Sequence, residues 1–367
     1  MEYSFGVFFI LQCTLQNPEH GKPRFTLFRN LARMAARRSG RPRRRIDLRA
    51  FQIEKTGQAP RLTHCAIPQP QADTVLIRIA ACGLNFADLL MIEGKYQEKP
   101  PLPATLGLEL AGTVESLGPG TDPSLLRRRV AVYAGSGGLA DYGCFPADRC
   151  VPLPDSMSFE EAAAFQIAYG TSHVALDHKA RLQPGETLLV LGAAGGVGLT
   201  AVEIGKLMGA RVIACARGAD KLAAAKAAGA DHLIDSETDD LRMAVKALGG
   251  ADVVYDPVGG DQFKAAFRAC NPEARIIVIG FASGEVPQIS ANHLLVKNIS
   301  VIGLYWGGYM AFRPEVLTGS MATLFGWHAA GRLKPHISHV LPLERAAEAL
   351  ELLRGRKSTG KVVVTML

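Results

Sequence analysis

The chain has 367 residues, of which 48% are hydrophobic and 20% are charged, values typical of a globular protein with a large core and two domains. Its net charge of +7 lies at the amino terminus: residues 1–47 hold ten of the 41 basic and three of the 34 acidic residues, which leaves 31 of each sign beyond them. The body of the chain therefore has no basic excess, and its composition argues against nucleic acid as a partner.

The pattern of cysteines and the hydropathy of the chain indicate the cellular compartment in which the protein is expected. The seven cysteines are scattered without a CxxC pair, which favours free thiols in a reducing compartment, so we expect a cytoplasmic protein. No apolar run reaches the length of about 18 residues that a membrane-spanning helix needs. Residues 3–11 are apolar, but they are few and no basic region precedes them, so they make a poor signal peptide.

Residues 1–47 are predicted to form a disordered basic extension, because residues 33–45 combine arginine with Ser, Gly and Pro. Three interpretations are open: a transit peptide, a nucleic-acid-binding arm, or a segment foreign to the native protein. We favour the third. Leu48 begins a strand-like pattern, and an alternative start codon at this position would be written as leucine.

Residues 48–172 are predicted to form a compact, barrel-like β domain, because short apolar runs alternate with Gly and Pro. A helix is expected from Asn85 to Ile92, ending at Gly94. A second helix begins at Ser158, where Ser-Phe-Glu-Glu is a capping box with Glu161 at its third position. The predicted strands include residues 48–53, 74–83, 106–114 and 129–133.

The most informative stretch is ETLLVLGAAGGVG, residues 186–198. Its apolar run at 188–191 predicts a strand buried on both faces, and apolar residues at helical spacing follow the glycines. Gly192, Gly195 and Gly198 allow a tight turn and close approach of a pyrophosphate, whose charge the helix N-terminus stabilises. This predicts a nucleotide site; the alternative is a turn required only for helix–sheet packing.

Strands and helices alternate after this turn, which predicts a doubly wound parallel sheet of six strands. The expected strands are residues 188–191, 211–215, 231–234, 252–255, 275–280 and 299–304. The alternation stops after Trp306. Helices at 314–330 and 343–353 and a strand at 361–365 are expected to return to the first domain.

The second of these strands indicates which dinucleotide binds. NAD-binding sites usually carry an acidic residue at its tip, whereas this tip leads to Arg217 and Lys221, and Asp220 lies one helical step too late. Because a guanidinium group suits a phosphate, we predict NADPH as the cofactor. The alternative is that Arg217 is an ordinary surface arginine.

Taken together, these features resemble the zinc-independent medium-chain dehydrogenase/reductases, and among them the NADPH:quinone oxidoreductases that include ζ-crystallin. The resemblance covers residues 48–367 and rests on GLNFADLLMIEGKYQ (83–97), PATLGLELAGTV (103–114), Gly170-Thr171-Ser172 and AAGGVG (193–198). It implies an α/β fold with a GroES-like catalytic domain (48–172 and 308–367) and a Rossmann NADP-binding domain (173–307). It also implies a homodimer paired through residues 301–305.

The resemblance implies that no metal is bound. Zinc-dependent relatives supply a histidine ligand from a Gly-His-Glu motif, which here is Gly107-Leu108-Glu109. Asn85 stands where their first cysteine ligand would lie. Without a Lewis acid, alcohol oxidation is not expected.

The acceptor should therefore be an electrophile that needs no strong activation, such as a quinone or a conjugated enone. By resemblance, Asn85 lies near the nicotinamide, and Tyr96 faces the same cleft. Both are candidate donors to the anion that hydride transfer creates, and Tyr96 is also a candidate proton donor. The alternatives are that Asn85 is only a helix cap and Tyr96 only a pocket wall.

Further cofactor contacts follow from the resemblance by position. Ser236 occupies the place of a tyrosine found after the third strand in some relatives, and the loop at 280–283 is expected to cover the nicotinamide ribose. The full set of predicted contacts is Asn85, Thr171, Gly195, Gly196, Val197, Arg217, Lys221, Ser236, Gly280, Phe281 and Ser283.

Two other functions remain open. A 2-enoyl-thioester reductase would share this architecture but would need basic residues for a CoA or carrier arm. A non-catalytic NADPH-binding protein, acting as a crystallin-like solubiliser or an RNA binder, would keep the cofactor site without turnover.

Overall fold

The structure, a computed structural model, describes residues 47–366. The predicted basic extension lies outside these residues except for Asp47, with which the first strand begins. Within the described residues, no helix has both the length and the apolar character required to cross a membrane.

The first part of the chain forms short, mostly antiparallel strands because apolar residues alternate between Gly and Pro breaks. One helix, α1 (Phe86–Ile92), interrupts them. The strands are β1 (Asp47–Ile53), β2 (Arg61–Ala66), β3 (Thr74–Gly83), β4 (Ala104–Thr105), β5 (Glu109–Leu117), β6 (Arg129–Tyr133), β7 (Tyr142–Pro146) and β8 (Cys150–Pro152).

Two helices, α2 (Phe159–Ala163) and α3 (Gln166–His173), lead to the second part of the chain. The predicted capping box begins α2: Glu161 N–H donates to Ser158 Oγ at 3.1 Å, and Ser158 N–H donates to Glu161 Oε2 at 3.0 Å. One π-helical turn, Val174–Lys179, extends α3.

The second part is a parallel sheet of six strands in the order β11-β10-β9-β12-β13-β14, and its helices pack around an almost wholly buried β9. This order confirms the predicted α/β class with a doubly wound sheet. The strands are β9 (Thr187–Leu191), β10 (Arg211–Ala216), β11 (His232–Asp235), β12 (Ala251–Asp256), β13 (Cys270–Val278) and β14 (Ser300–Gly303). The helices are α4 (Gly196–Leu207), α5 (Ala219–Ala227), α6 (Leu241–Ala247), α7 (Gly260–Ala269) and α8 (Ala291–Lys297).

The tail carries the chain back to the first strands, because β16 pairs antiparallel with β3. One sheet therefore runs β15-β16-β3-β5-β6-β8, with β7 also on β3, and a smaller sheet runs β2-β1-β4. The tail elements are α9 (Tyr309–Phe312), α10 (Pro314–Ala329), β15 (Ile337–Pro342), α11 (Ala346–Arg354) and β16 (Lys361–Thr365).

Candidate active site

The glycine-rich turn between β9 and α4 has the geometry of an anion site. Gly192 has a φ of +57°, and a Cβ on Gly198 would lie 2.2 Å from the Gly192 carbonyl oxygen, so only glycine fits at position 198. The exposed Gly195 is the N-cap of α4. Gly196 and Val197 thus begin a helix whose first N–H groups have no intrahelical acceptor.

The helix that carries Thr171 is anchored to this turn. Ser172 Oγ donates to the carbonyl oxygen of Val197 at 2.9 Å. The same hydroxyl lies 2.8 Å from Thr200 Oγ1 and 3.0 Å from the Tyr255 hydroxyl. Thr171, a predicted cofactor contact, is only 6% exposed and is held beside the turn by this network.

Three cations gather at the tip of β10. Lys221 Nζ donates to the carbonyl oxygen of Arg356 at 2.7 Å, and Arg356 donates to the carbonyl oxygen of Ala282 at 2.6 Å. Burial, and then the charges of Arg217 and Arg356, lower the pKa of Lys221. Glu237, 3.7 Å from Arg217, partly offsets this positive charge. The cluster has the charge and the exposure to accept a phosphate.

The remaining predicted cofactor contacts flank this cation cluster. Ser236 directly follows β11, and its N–H donates to the carbonyl oxygen of Ala216, the last residue of β10, at 2.9 Å. The loop after β13 is tied to the cluster through Ala282, the acceptor of the Arg356 hydrogen bond. That loop contains Gly280, Phe281 and Ser283.

A second polar group is buried where β16 meets α1. The Lys361 ammonium donates to Glu109 Oε1 at 2.7 Å, to Asn85 Oδ1 at 2.8 Å and to the Leu84 carbonyl oxygen at 2.8 Å. The other carboxylate oxygen, Glu109 Oε2, accepts from the N–H of Ile167 at 2.9 Å. All three donors of the ammonium are satisfied, as a buried charge requires.

The neighbours of Asn85 determine which way its amide points. Oδ1 faces an ammonium, which can only donate, and Nδ2 donates to Glu109 Oε1 at 2.9 Å and to the Gly83 carbonyl oxygen at 3.2 Å. A flipped amide would place a donor against Lys361. Both Nδ2 hydrogens are therefore used inside the protein.

Asp88 lies at the base of the same group and is fully buried. Its Oδ2 accepts from the N–H of Asn85 at 2.8 Å, and its Oδ1 accepts from the N–H of Gly107 at 3.0 Å. Burial raises the pKa of Asp88 to about 7, although both N–H donors and the Lys361 charge favour the carboxylate.

Lys361 also connects the two halves of the site. The Gly360 N–H donates to the carbonyl oxygen of Ala194 in the glycine-rich turn at 2.8 Å. A Cβ on Gly196 would lie 3.2 Å from Cδ of Lys361, so the lysine stem passes directly over the start of α4. The side chain that orients Asn85 therefore contacts the turn predicted to hold a pyrophosphate.

A third group, the Tyr–Glu98 cluster, consists of Tyr96, Glu98, Tyr133 and Tyr305. The hydroxyls of Tyr133 and Tyr305 each donate to Glu98 Oε1 at 2.8 Å. Burial, and then the charge of Glu98, raise the pKa of Tyr96 to about 12, and the Tyr133 and Tyr305 hydroxyls partly offset the shift. Tyr96 is therefore protonated across the physiological range.

The side chains present do not fit a catalytic zinc ion. Leu108 stands at the histidine position of the zinc enzymes and is fully buried. The amide of Asn85 stands at the cysteine position and binds Lys361. Residues 47–366 contain no group of three or more His, Cys, Asp or Glu side chains placed to hold a metal ion. That the protein binds no zinc stays a prediction, which metal analysis of the purified protein would test.

The residues predicted from the sequence fall into these groups, and their roles in binding and catalysis stay predictions. The structure brings the glycine turn and Thr171 together and groups Arg217, Lys221 and Ser236 near the β13 loop. It places Asn85 in a buried network that Lys361 links to the turn. Arg356, Lys361 and Glu98 were missed. The sequence shows only a Gly-Lys pair at the start of the last strand and a Tyr-Gln-Glu run after α1, and both are compatible with ordinary surface residues.

The comparisons with known proteins agree with this architecture. Residues 71–155 match the family model "Alcohol dehydrogenase GroES-like domain", and residues 196–320 match "Zinc-binding dehydrogenase". The quinone oxidoreductase-like protein 2 homolog of Nematostella vectensis is 40% identical over 331 residues, which cover 88% of this chain and 90% of that protein.

Solved structures give the same result. The quinone oxidoreductase of Thermus thermophilus, described with its NADPH complex, aligns with a TM-score of 0.77 at 31% identity, covering 87% of this chain and 100% of that one. The Escherichia coli quinone oxidoreductase complexed with NADPH aligns with a TM-score of 0.79 at 29% identity, covering 87% and 99%. The chain belongs to the medium-chain dehydrogenase/reductase family, in its quinone oxidoreductase-like branch, which confirms the family and the GroES-like plus Rossmann fold expected from the sequence.

Proposed function

We propose that this protein is an NADPH-dependent reductase that transfers a hydride to a quinone or an α,β-unsaturated carbonyl without zinc. The observation that carries the proposal is the Asn85–Glu109–Lys361 network. One member, Asn85, stands where zinc relatives place their first cysteine ligand, and the three side chains satisfy one another. A cleft built this way suits an acceptor that is already electron-poor.

The choice of NADPH is supported by the cations Arg217, Lys221 and Arg356. Their mutual repulsion is relieved by an anion, and a 2′-phosphate is the anion that distinguishes NADPH from NADH. The Thermus and E. coli quinone oxidoreductases, both solved in complex with NADPH, support the same cofactor. The pyrophosphate would be held by Gly195, Gly196 and Val197 at the start of α4.

The roles proposed for the remaining side chains follow from their hydrogen bonds. NADPH, when bound, supplies the hydride. Asn85 has no free amide hydrogen, so we assign it to the wall of the nicotinamide site and not to donation toward the acceptor. Tyr96 keeps its proton and is the proposed donor to the acceptor oxygen as negative charge develops there.

The domain boundaries and the oligomeric state are part of the proposal. Residues 48–172 and 308–367 would form the catalytic domain and 173–307 the cofactor domain. Pairing of β14, the edge of the six-stranded sheet, with a second copy is supported by the neighbouring α8, where Leu295 is 76% and Val296 75% exposed. Sedimentation velocity should give a dimer that Leu295→Glu converts to monomer; a monomeric wild type contradicts the pairing.

Steady-state assays test the function. NADPH oxidation is measured with 1,4-benzoquinone, with crotonyl-CoA and without acceptor. The proposal predicts turnover with the quinone. Turnover with crotonyl-CoA alone would favour the enoyl-thioester reductase, and NADPH binding with no turnover would favour the non-catalytic role.

A further inference from the structure

The Tyr–Glu98 cluster joins three distant parts of the chain around one carboxylate. Tyr96 and Glu98 follow α1, Tyr133 ends β6 and Tyr305 follows β14. Two phenolic hydroxyls donate to the same oxygen, Glu98 Oε1, each at 2.8 Å. Such convergence fixes the carboxylate in one place.

Two glycines leave room for this arrangement. A Cβ on Gly135 would lie 2.3 Å from Glu98 Oε2, and a Cβ on Gly307 would lie 2.4 Å from the Tyr133 hydroxyl oxygen. Any larger residue at either position would displace the carboxylate or its partner.

The charge of Glu98 has no cationic partner among residues 47–366, where every ion pair within 4.0 Å involves other acids. Its hydrogen bonds come from neutral hydroxyls, which orient the negative charge without cancelling it. Burial is the largest cause of the raised pKa of Tyr96, and the charge of Glu98 adds to it. The cluster therefore holds an oriented negative charge without an ion-pair partner within 4.0 Å among residues 47–366.

The position of the cluster connects it with both halves of the proposed site. Tyr133 lies directly opposite Glu109 in the β5–β6 pairing. Its ring packs edge-on against Trp306 with ring centroids 5.0 Å apart. The Trp306 indole covers Gly170, next to Thr171. The cluster thus lies between the Asn85 network and the carboxyl end of β14, the edge at which open parallel sheets bind ligands.

We propose that Glu98 determines acceptor specificity by selecting uncharged quinones and enones over acceptors that carry a carboxylate, sulfonate or phosphate. This inference rests on the proposed function and narrows it. An anionic acceptor entering past Glu98 meets like charge that no cation of the cluster offsets. CoA thioesters fall in the disfavoured class.

The test compares 1,4-naphthoquinone with 1,4-naphthoquinone-2-sulfonate. The neutral-to-anionic ratio of kcat/KM is measured for wild type and for Glu98→Gln, so that the different reactivities of the quinones cancel. Two charges about 4 Å apart in water interact by about 1 kcal/mol, so for a sulfonate at that distance Glu98→Gln should lower this ratio about fivefold. Glu98→Asp, which keeps the charge, should retain most of the preference.

A matched control removes an equal charge elsewhere. Glu351→Gln lies on α11, where the glutamate pairs with Arg354 at 3.1 Å, and it should leave the ratio unchanged. Calorimetric Kd values for both quinones with NADP⁺ present provide a readout independent of turnover, and Tm values show whether each variant is folded.

The outcomes separate this inference from the proposed function. If folded Glu98→Gln keeps the wild-type neutral-to-anionic ratio, measured as kcat/KM or as Kd, the proposed role of Glu98 is wrong while the reductase function stands. If neither quinone is turned over, the proposed reductase function is wrong. The ratio of the two Kd values would still decide the role of Glu98.

Discussion

The ammonium nitrogen of Lys361 lies 2.7 Å from Oε1 of Glu109, and both side chains are almost completely buried. The pair joins the last strand of the chain to β5, 252 residues earlier. Because it also binds Asn85 Oδ1, the ion pair sets the amide orientation at the proposed nicotinamide site. Burial of two charges is costly in itself, so we interpret the pair as a positioning device.

Removing one member of this pair should destabilise the protein strongly. Lys361→Met leaves the Glu109 carboxylate buried without a cation, and we expect a loss of about 3 to 5 kcal/mol in the free energy of unfolding, measured in urea. Lys361→Met with Glu109→Gln should lose about 1 to 3 kcal/mol less than the sum of the single variants, because no charge stays unpaired. Strict additivity of the two changes would contradict the pairing.

Tyr96→Phe should lower kcat with a quinone roughly a hundredfold, because a positioned proton donor contributes at least that much. The Kd for NADPH, measured by fluorescence, should not change, because the hydroxyl acts on the acceptor. Tyr142→Phe, on β7, is the matched control and should keep full activity. Full kcat in Tyr96→Phe would remove the donor role.

Arg356→Ala should weaken NADPH binding about tenfold or more while leaving NADH binding nearly unchanged, since a charge-assisted hydrogen bond contributes about 1.5 to 3 kcal/mol. The neighbouring Arg354 pairs with Glu351 on α11, so Arg354→Ala serves as the control. Equal weakening of both cofactors by Arg356→Ala would place the residue away from the 2′-phosphate.

Asp88 should make stability depend on pH. Its pKa is raised from 3.8 to about 7 in the folded protein, so between these values the folded state binds a proton that the unfolded state has released. The stabilisation that this bound proton gives the folded state is complete below about pH 4 and is lost as the pH rises toward 7. The free energy of unfolding in urea should fall more between pH 5 and pH 8 for wild type than for Asp88→Asn. Equal falls would contradict the raised pKa of Asp88.

The features that could be predicted from the sequence are those set by residues close together along the chain. The glycine turn, the alternation around β9 and the capping box at Ser158 are set by neighbouring residues, and the structure has all three. Lys361 begins an apolar strand and reads as a solvated lysine until β16 pairs with β3. Arg356 and Lys221 are 135 residues apart, so only the folded chain brings them together.

The central claim is that a cleft without zinc passes hydride from NADPH to an electron-poor acceptor. The most direct test is NADPH oxidation with 1,4-benzoquinone by the full-length protein after exhaustive dialysis against EDTA, with zinc content determined by mass spectrometry on the same sample. The account predicts an undiminished rate with a negligible fraction of the chains holding zinc. Loss of the rate on dialysis and its return on adding zinc would contradict it.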